Sequence, residues 1–320
     1  MNTVLVTGGS GFLGRAVVGE LRSAGHAVRT LQRQAAPASD VAALGGDVRD
    51  PDAVAAAVEG VDVVVHAAGL AHVFRDVAAA PFHEVNEKGA AVVAAAAVAA
   101  GVRHFVHISS VAVYGGSGAA GVEGAPCRPQ GDYAHSKAAA ETRVVDAARG
   151  SATRVTILRL ATLYGDGDRG NVQRLLQVIA AGRFVWVGSG ANLKSLIHVR
   201  DAARACAAVV DSEAAGSPTA DIYNVSAAPV VMREIVGEIA RALGRPVPRG
   251  HVPDAAARML SAAAGWVSPS RAQSLAKWLN DDVYPAGRFE QRFDVVPRVT
   301  LREGIERQVR AWRASAGEPA

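Results

Sequence analysis

The 320-residue chain is long enough for one large α/β domain, or a large one with a smaller companion, around a sizeable buried core. Half of its residues are apolar and only 5% are aromatic, a composition that suits helices packed closely on a sheet. The net charge of +4 is dispersed, with no basic run or aromatic interleaving, so no nucleic-acid surface is expected, only a mild preference for anionic small molecules. No apolar run is long and clean enough to span a bilayer. A strand pattern that starts by Val4 leaves no room for a signal peptide, so a cytoplasmic protein without a membrane partner is expected. Cys127 and Cys206 fit no metal or redox spacing and read as free thiols, and no metal site is expected.

In chain order, Val4–Thr7 reads as a buried strand, followed by Gly8, Gly11 and Gly14 and by an amphipathic helix from Arg15 to Ser23. Ala27–Leu31 is a second strand, Asp47-Val48 ends a short third, and Asp50-Pro51 opens a helix to about Val58. The apolar run Val61–Ala67 predicts a central parallel strand, Phe82–Ala100 a long helix, and Arg103–Ser109 the next strand. A loop rich in Gly and Pro from Gly115 to Asp132 precedes a helix over Tyr133–Arg149 and a strand over Arg154–Leu160. This βαβ alternation predicts an α/β fold with a doubly wound parallel sheet, ligands binding at the C-terminal ends of its strands.

After Tyr164 the rhythm changes. Val172–Ala181 reads as a helix and Phe184–Val187 as a short strand, while Asp201–Val210 and Ile222–Val225 return to the main sheet. Four prolines between Pro229 and Pro253 open a smaller helical cluster, and Leu301–Trp312 is a helix with Leu301, Ile305, Val309 and Trp312 on one face. The expected division is a dinucleotide-binding unit over 1–165 and about 198–226, with a smaller C-terminal α/β substrate domain over 166–197 and 227–320. The last few residues are expected to be disordered.

Two stretches carry chemistry. The glycines after the first strand suit a tight turn and a helix N-terminus aimed at a phosphate: Gly8 turns the chain, Gly11 lets backbone N–H groups approach, and Gly14 permits close helix–strand packing. In Tyr133-Ala-His-Ser-Lys137 the phenol and the ammonium share a helix face, and a nearby Lys lowers the pKa of a tyrosine towards neutrality, making it a general acid or base. Ser109 and Ser110 end the preceding strand, where a hydroxyl can donate to a substrate oxygen.

With TGGSGFLG at 7–14, GDV at 46–48, HAAG at 66–69, VNEKG at 85–89, SSVAVYG at 109–115, YAHSK at 133–137, LRLATLYGDG at 158–167 and SLIHVRDAA at 195–203, the chain resembles the extended short-chain dehydrogenases/reductases of the NAD-dependent epimerase/dehydratase family, which includes UDP-galactose 4-epimerase. The resemblance implies a Rossmann sheet and a Ser110–Tyr133–Lys137 catalytic set, with Lys137 also holding the nicotinamide ribose. It implies cofactor contacts from Gly8, Ser10, Gly11, Phe12, Leu13, Gly14 and Arg15. Asp47 and Val48 would flank the adenine, Ala67, Ala68 and Gly69 the diphosphate and ribose, and Asn86 would stand on the helix behind. His66, His107 and His135 adjoin matched motifs without holding their functional positions and read as structural, as does His198.

NAD-using members carry an Asp at the end of the second strand. Here Gln32 and Arg33 stand there and Arg15 lies close, which favours the 2′-phosphate of NADP(H) and leaves NAD(H) open. For the substrate, the resemblance implies a nucleotide-diphosphate sugar held by Ser109, Ser110, Asn171, Lys194 and Arg288. The implied reaction is hydride transfer at a carbonyl or carbinol carbon, C4 of the sugar, by a reductase or dehydrogenase. A 4-epimerase retaining NAD and a hydroxysteroid-like alcohol dehydrogenase stay open. A dehydratase is disfavoured because Val111-Ala112 offers no acid pair, and a redox-silent binding protein because Ser110, Tyr133 and Lys137 are intact. Members of the family pair as homodimers through two helices each, here Phe82–Ala100 and Tyr133–Arg149, whose Ala-rich faces permit it.

Overall fold

Val4, Leu5 and Val6 are fully buried, as a strand covered by helices on both faces requires. They lie in β1 (Thr3–Thr7), near the middle of the main sheet. In the computed structural model, which describes residues 1–33, 41–71, 80–115, 121–212, 220–252 and 280–316, this strand is followed by β2 (Ala27–Gln32), β3 (Ala42–Gly45), β4 (Val63–His66), β5 (His104–Ser110) and β6 (Arg154–Leu160). With β11 (Asp221–Val225) they form a seven-stranded parallel sheet in the order β11-β6-β5-β4-β1-β2-β3. The order reverses between β1 and β4, the crevice where ligands of doubly wound sheets bind.

Helices α1 (Phe12–Ser23) and α7 (Val199–Asp211) cover one face, over a core that includes Val17, Leu21, Ala202 and Cys206. The opposite face carries α2 (Pro51–Val58), α4 (Gly89–Ala99) and α5 (Asp132–Ala148). Asp50 caps α2 as expected, its carboxylate accepting from the N–H groups of Asp52 and Ala53.

Two elements differ from the sequence reading. The third strand stops at Gly45, and Asp47 lies beyond it, its carboxylate accepting from the backbone N–H and the guanidinium of Arg49. The helix expected over Phe82–Ala100 begins with α3 (Ala80–Phe82) and widens into a π-helical turn, His83–Lys88, before α4. Asn86, buried within that turn, explains its local use: both ends of its amide bond the backbone of Leu70, and it also donates to Ser136 Oγ. A widened turn at such a polar anchor is a recurrent feature of functional sites.

A third core lies beyond the sheet. It joins α6 (Asn171–Ala180), α8 (Met232–Ala242) and, in a final helix (Leu301–Ala316), Ile305 and Val309. Around it run β7 (Thr162–Tyr164) paired with β10 (Leu196–His198), β9 (Leu193–Lys194) paired with β12 (Val230–Val231), and β8 (Trp186–Val187) paired with β13 (His251–Val252). Asp201 ties the C-terminal chain to α7: its buried carboxylate accepts from Arg204 and from the N–H groups of Arg298 and Val299. The last four residues, and residues 253–279 of the expected C-terminal cluster, lie outside the described residues. Among the described residues no helix is long and apolar enough to cross a membrane, and no cluster of His, Cys, Asp or Glu could hold a metal.

Candidate active site

The close approach of three backbone segments shapes one end of the site. Gly8 has φ +70°, and a Cβ there would lie 2.8 Å from Ala68 Cα. A Cβ on Gly14 would lie 2.1 Å from the Gly8 carbonyl oxygen, so α1 can cross this turn only with glycine at that position. Gly11 is the N-cap of α1 and supplies no side-chain cap, which leaves the helix's first N–H groups for an anion. Thr7 Oγ1 accepts from the Ala68 N–H and pairs with His66 Nδ1 at 2.8 Å, joining the ends of β1 and β4. This is a cradle of the right chemistry for a dinucleotide diphosphate.

The cradle opens into a cavity of about 810 Å³. Its wall brings together Gly8, Ser10, Gly11, Phe12, Leu13, Gly14 and Arg15 with Ala67, Ala68, Gly69 and Asn86. Ser110, Tyr133 and Lys137 line the same cavity, as do Asn171 and Lys194. Gln32, Arg33, Asp47 and Val48 stand outside that wall, at or beyond the ends of β2 and β3. Gln32 and Val48 are buried and Arg33 is exposed. Arg15 reaches back to the Ser10 carbonyl oxygen, its guanidinium at the cavity mouth.

Ser110 and Tyr133 face the same cavity, and the Ser110 hydroxyl oxygen accepts from the Ala112 N–H. The expected effect of Lys137 on Tyr133 is corrected here. Burial pushes the phenol up rather than down, and the neighbouring Ser110 hydroxyl opposes the rise. The Lys137 ammonium instead donates to the Ile108 carbonyl oxygen at 2.5 Å, and burial lowers it to about 8 against the opposing charge of Glu141. Sharing a helix face brings the two groups into one cavity but does not make them partners.

Ser109 also lines the cavity, and its hydroxyl donates to Glu141 Oε1 at 2.5 Å, within a buried set closed by the bidentate Arg159–Glu141 pair at 3.0 and 2.6 Å. The Arg159 guanidinium lies over the Tyr114 ring, which stacks on Tyr284 in the cavity wall. Glu141 falls one helical turn after Lys137, so its place on this face was open to sequence reasoning, whereas its partner Arg159 was not.

Two expected phosphate contacts have partners within the chain. Lys194 Nζ donates to the Asp282 carboxylate and to the Asn280 carbonyl oxygen, both at 2.8 Å. Arg288, in α9 (Gly287–Phe293), lies over the Tyr223 ring, 5.1 Å from its centre, and does not line the cavity. The wall also contains residues that no motif singled out, among them Arg169, Met232, Ile235, Asp282 and Tyr284.

His66 and His107 stack beneath the site at 5.5 Å, and His104 lies on the same strand as His107. None of the three lines the cavity, in keeping with a structural role for His66 and His107.

The NAD dependent epimerase/dehydratase family model matches residues 4–226, and the chain belongs to this family. It is accordingly an NAD(P)-dependent enzyme of the extended short-chain dehydrogenase/reductase type. It is 33% identical over 257 residues to an N-acetyl-alpha-D-glucosaminyl-diphospho-ditrans,octacis-undecaprenol 4-epimerase of Escherichia coli O157:H7, covering 79% of this chain and 76% of the relative. It is 31% identical to a 2-alkyl-3-oxoalkanoate reductase of Stenotrophomonas maltophilia, covering 95% of this chain and 97% of the relative. Among solved structures it is similar to MoeE5 in complex with UDP-glucuronic acid and NAD, with a TM-score of 0.79, 26% identity, and coverage of 98% of this chain and 99% of that one.

Burial pushes the imidazoles of His66 and His104 down to about 3 and holds His107 well below its ordinary value. These rings take up protons near pH 6.5 only when the chain unfolds. Between about pH 6.5 and 3 the unfolded state therefore binds more protons, and stability falls as the pH falls. Urea unfolding at pH 7 and pH 4.5 is expected to show this loss. His107→Leu should shrink it by up to ~1.4 kcal/mol per pH unit, since His107 forms no hydrogen bond that its removal would strand. An unchanged pH dependence in the variant would place the acid sensitivity elsewhere.

Proposed function

We propose that the protein is a ketoreductase or dehydrogenase that prefers NADP(H) and moves hydride at a carbonyl or carbinol carbon. One observation carries this reading: Ser110, Tyr133 and Lys137 line the same cavity as the uncapped N-terminus of α1. The bound nicotinamide supplies or accepts the hydride. Tyr133 gives its hydroxyl proton to the substrate oxygen in reduction and takes it back in oxidation, and Ser110 holds that oxygen in place. Lys137 adds a positive charge nearby, with the Ile108 carbonyl oxygen fixing its direction. A reductase is further supported by the Stenotrophomonas maltophilia relative, whose alignment runs through the residues beyond 226 as well.

For the cofactor, NADP(H) is supported by the exposed Arg33 just after β2, by Arg15 at the cavity mouth, and by the neutral Gln32 that ends the strand. The cofactor-binding assignments of Gln32, Arg33, Asp47 and Val48 rest on this rim. Division of the chain into a dinucleotide-binding and a substrate-binding unit, a cytoplasmic location, and a homodimer through α4 and α5 belong to the same reading.

A second reading, a nucleotide-sugar 4-epimerase, is favoured by Asn171 and Arg169 in the wall at the start of α6 and by the UDP-glucuronic acid bound to MoeE5. Retained NAD⁺ in the purified protein would support it.

Tyr133→Phe is expected to lower turnover at least ~100-fold while changing the dinucleotide dissociation constant far less. Equal turnover in steady-state assays would refute the role given to Tyr133. Arg33→Ala should raise KM for NADPH about 10-fold and leave KM for NADH nearly unchanged. Equal shifts for both would remove the 2′-phosphate contact.

A further inference from the structure

The substrate half of the cavity is built from the third core. Val172, Leu175, Leu196, Met232 and Ile235 belong to that core and face the cavity, with Leu163 beside them. The lysine of the substrate wall that could hold a diphosphate, Lys194, is already matched by one of the chain's own carboxylates. Asp282 stands on Lys194 at 2.8 Å. Buried Asp168 covers the start of α6, accepting from the Gly170 N–H at 2.6 Å and the Gln173 N–H at 3.1 Å. A dianion beside Lys194 would meet the Asp282 carboxylate in the same wall and compete with it for the ammonium, while Asp168, outside the wall, already takes up N–H groups at the start of α6. Arg169 and Asn171 are exposed and stand at the rim.

From this arrangement we infer that the site selects a carbonyl substrate carrying an apolar chain of several carbons, which lies against Val172, Leu175, Met232 and Ile235, with its polar end at the Arg169–Asn171 rim. The inference rests on the ketoreductase reading. In the reaction, hydride from the dihydronicotinamide C4 forms the new C–H bond at the carbonyl carbon. The C=O π pair takes the Tyr133 proton to give a carbinol, and the phenolate regains a proton from water. An alkyl ketone has this chemistry, whereas a sugar carried on a prenyl diphosphate would bring in the dianion that Asp282 opposes.

The test is a chain-length series on the wild-type protein. Ethyl 3-oxobutanoate, 3-oxohexanoate, 3-oxooctanoate and 3-oxodecanoate are reduced with saturating NADPH, and thermal protection is measured with 1-decanol, farnesyl diphosphate and UDP, each with NADP⁺ present. The expected result is a rise in kcat/KM of about 10-fold per two-carbon step over at least two steps, with protection by 1-decanol and none by UDP. Protection by farnesyl diphosphate well beyond that by 1-decanol would show that the cavity admits a diphosphate and would overturn its exclusion by Asp282. A kcat/KM flat with chain length, or protection by UDP alone, would overturn the inference. Protection by 1-decanol with no turnover of any ketone would support the chain site and overturn the ketoreductase reading instead. Asp282→Asn, which removes the carboxylate facing Lys194, is expected to add UDP protection that the wild type lacks. If that variant gains none while remaining folded, Asp282 does not exclude the diphosphate and that part of the argument fails.

Discussion

The site depends on how closely the backbone passes itself where the strand order reverses. With Gly14 packed on the Gly8 carbonyl and Gly8 against Ala68, the N-terminus of α1 is drawn down to the ends of β1 and β4. No residue with a side chain can take either position without moving a helix or a strand, so the cradle and the central sheet are one construction. The Thr7–His66 and Thr7–Ala68 contacts fasten the same corner from the other side. An anion seated there meets unmatched N–H groups that already point at it, so little reordering opposes binding.

The second half of the chemistry is held from behind. On α5, Tyr133, Lys137 and Glu141 follow at four-residue spacing, but their partners divide them into different tasks. Tyr133 meets Ser110 in the cavity, Lys137 is held by the Ile108 carbonyl oxygen, and Glu141 is joined to Arg159 and Ser109 in the interior. Burying an ion pair brings little net stability, but breaking one leaves a buried charge, which costs about 3–5 kcal/mol. The pair therefore acts less as a source of stability than as a fixture: it holds the end of β5 and, through Tyr114 and Tyr284, meets the substrate wall.

The sheet was legible because its signals are local and periodic. A continuous apolar run gave β4, Asp50-Pro51 gave the start of α2, and the glycine spacing gave the turn before α1. The motif residues around that turn and on α5 do line one cavity. What the sequence concealed depends on partners far along the chain. Lys194 reads as a free cation until Asp282, 88 residues later, is found beside it. Ser109 and Ser110 are equivalent as neighbours at a strand end, and only the pleat sends one to Glu141 and the other to Tyr133. Arg288 reads as a phosphate ligand by position, yet an aromatic ring at its own foot attracts it instead. The π turn around Asn86 leaves no periodic trace, because its cause is a hydrogen-bonding need rather than a hydrophobic face.

The account stands on a phenol and a glycine cradle serving one bound molecule, and a crystal structure of the protein grown with NADPH tests it most directly. It predicts the diphosphate on the N–H groups at the start of α1, with the nicotinamide C4 within about 4 Å of the space beside the Tyr133 hydroxyl where a carbonyl carbon would sit. A dinucleotide bound with its nicotinamide turned away from Tyr133, or bound outside this cavity, would contradict it.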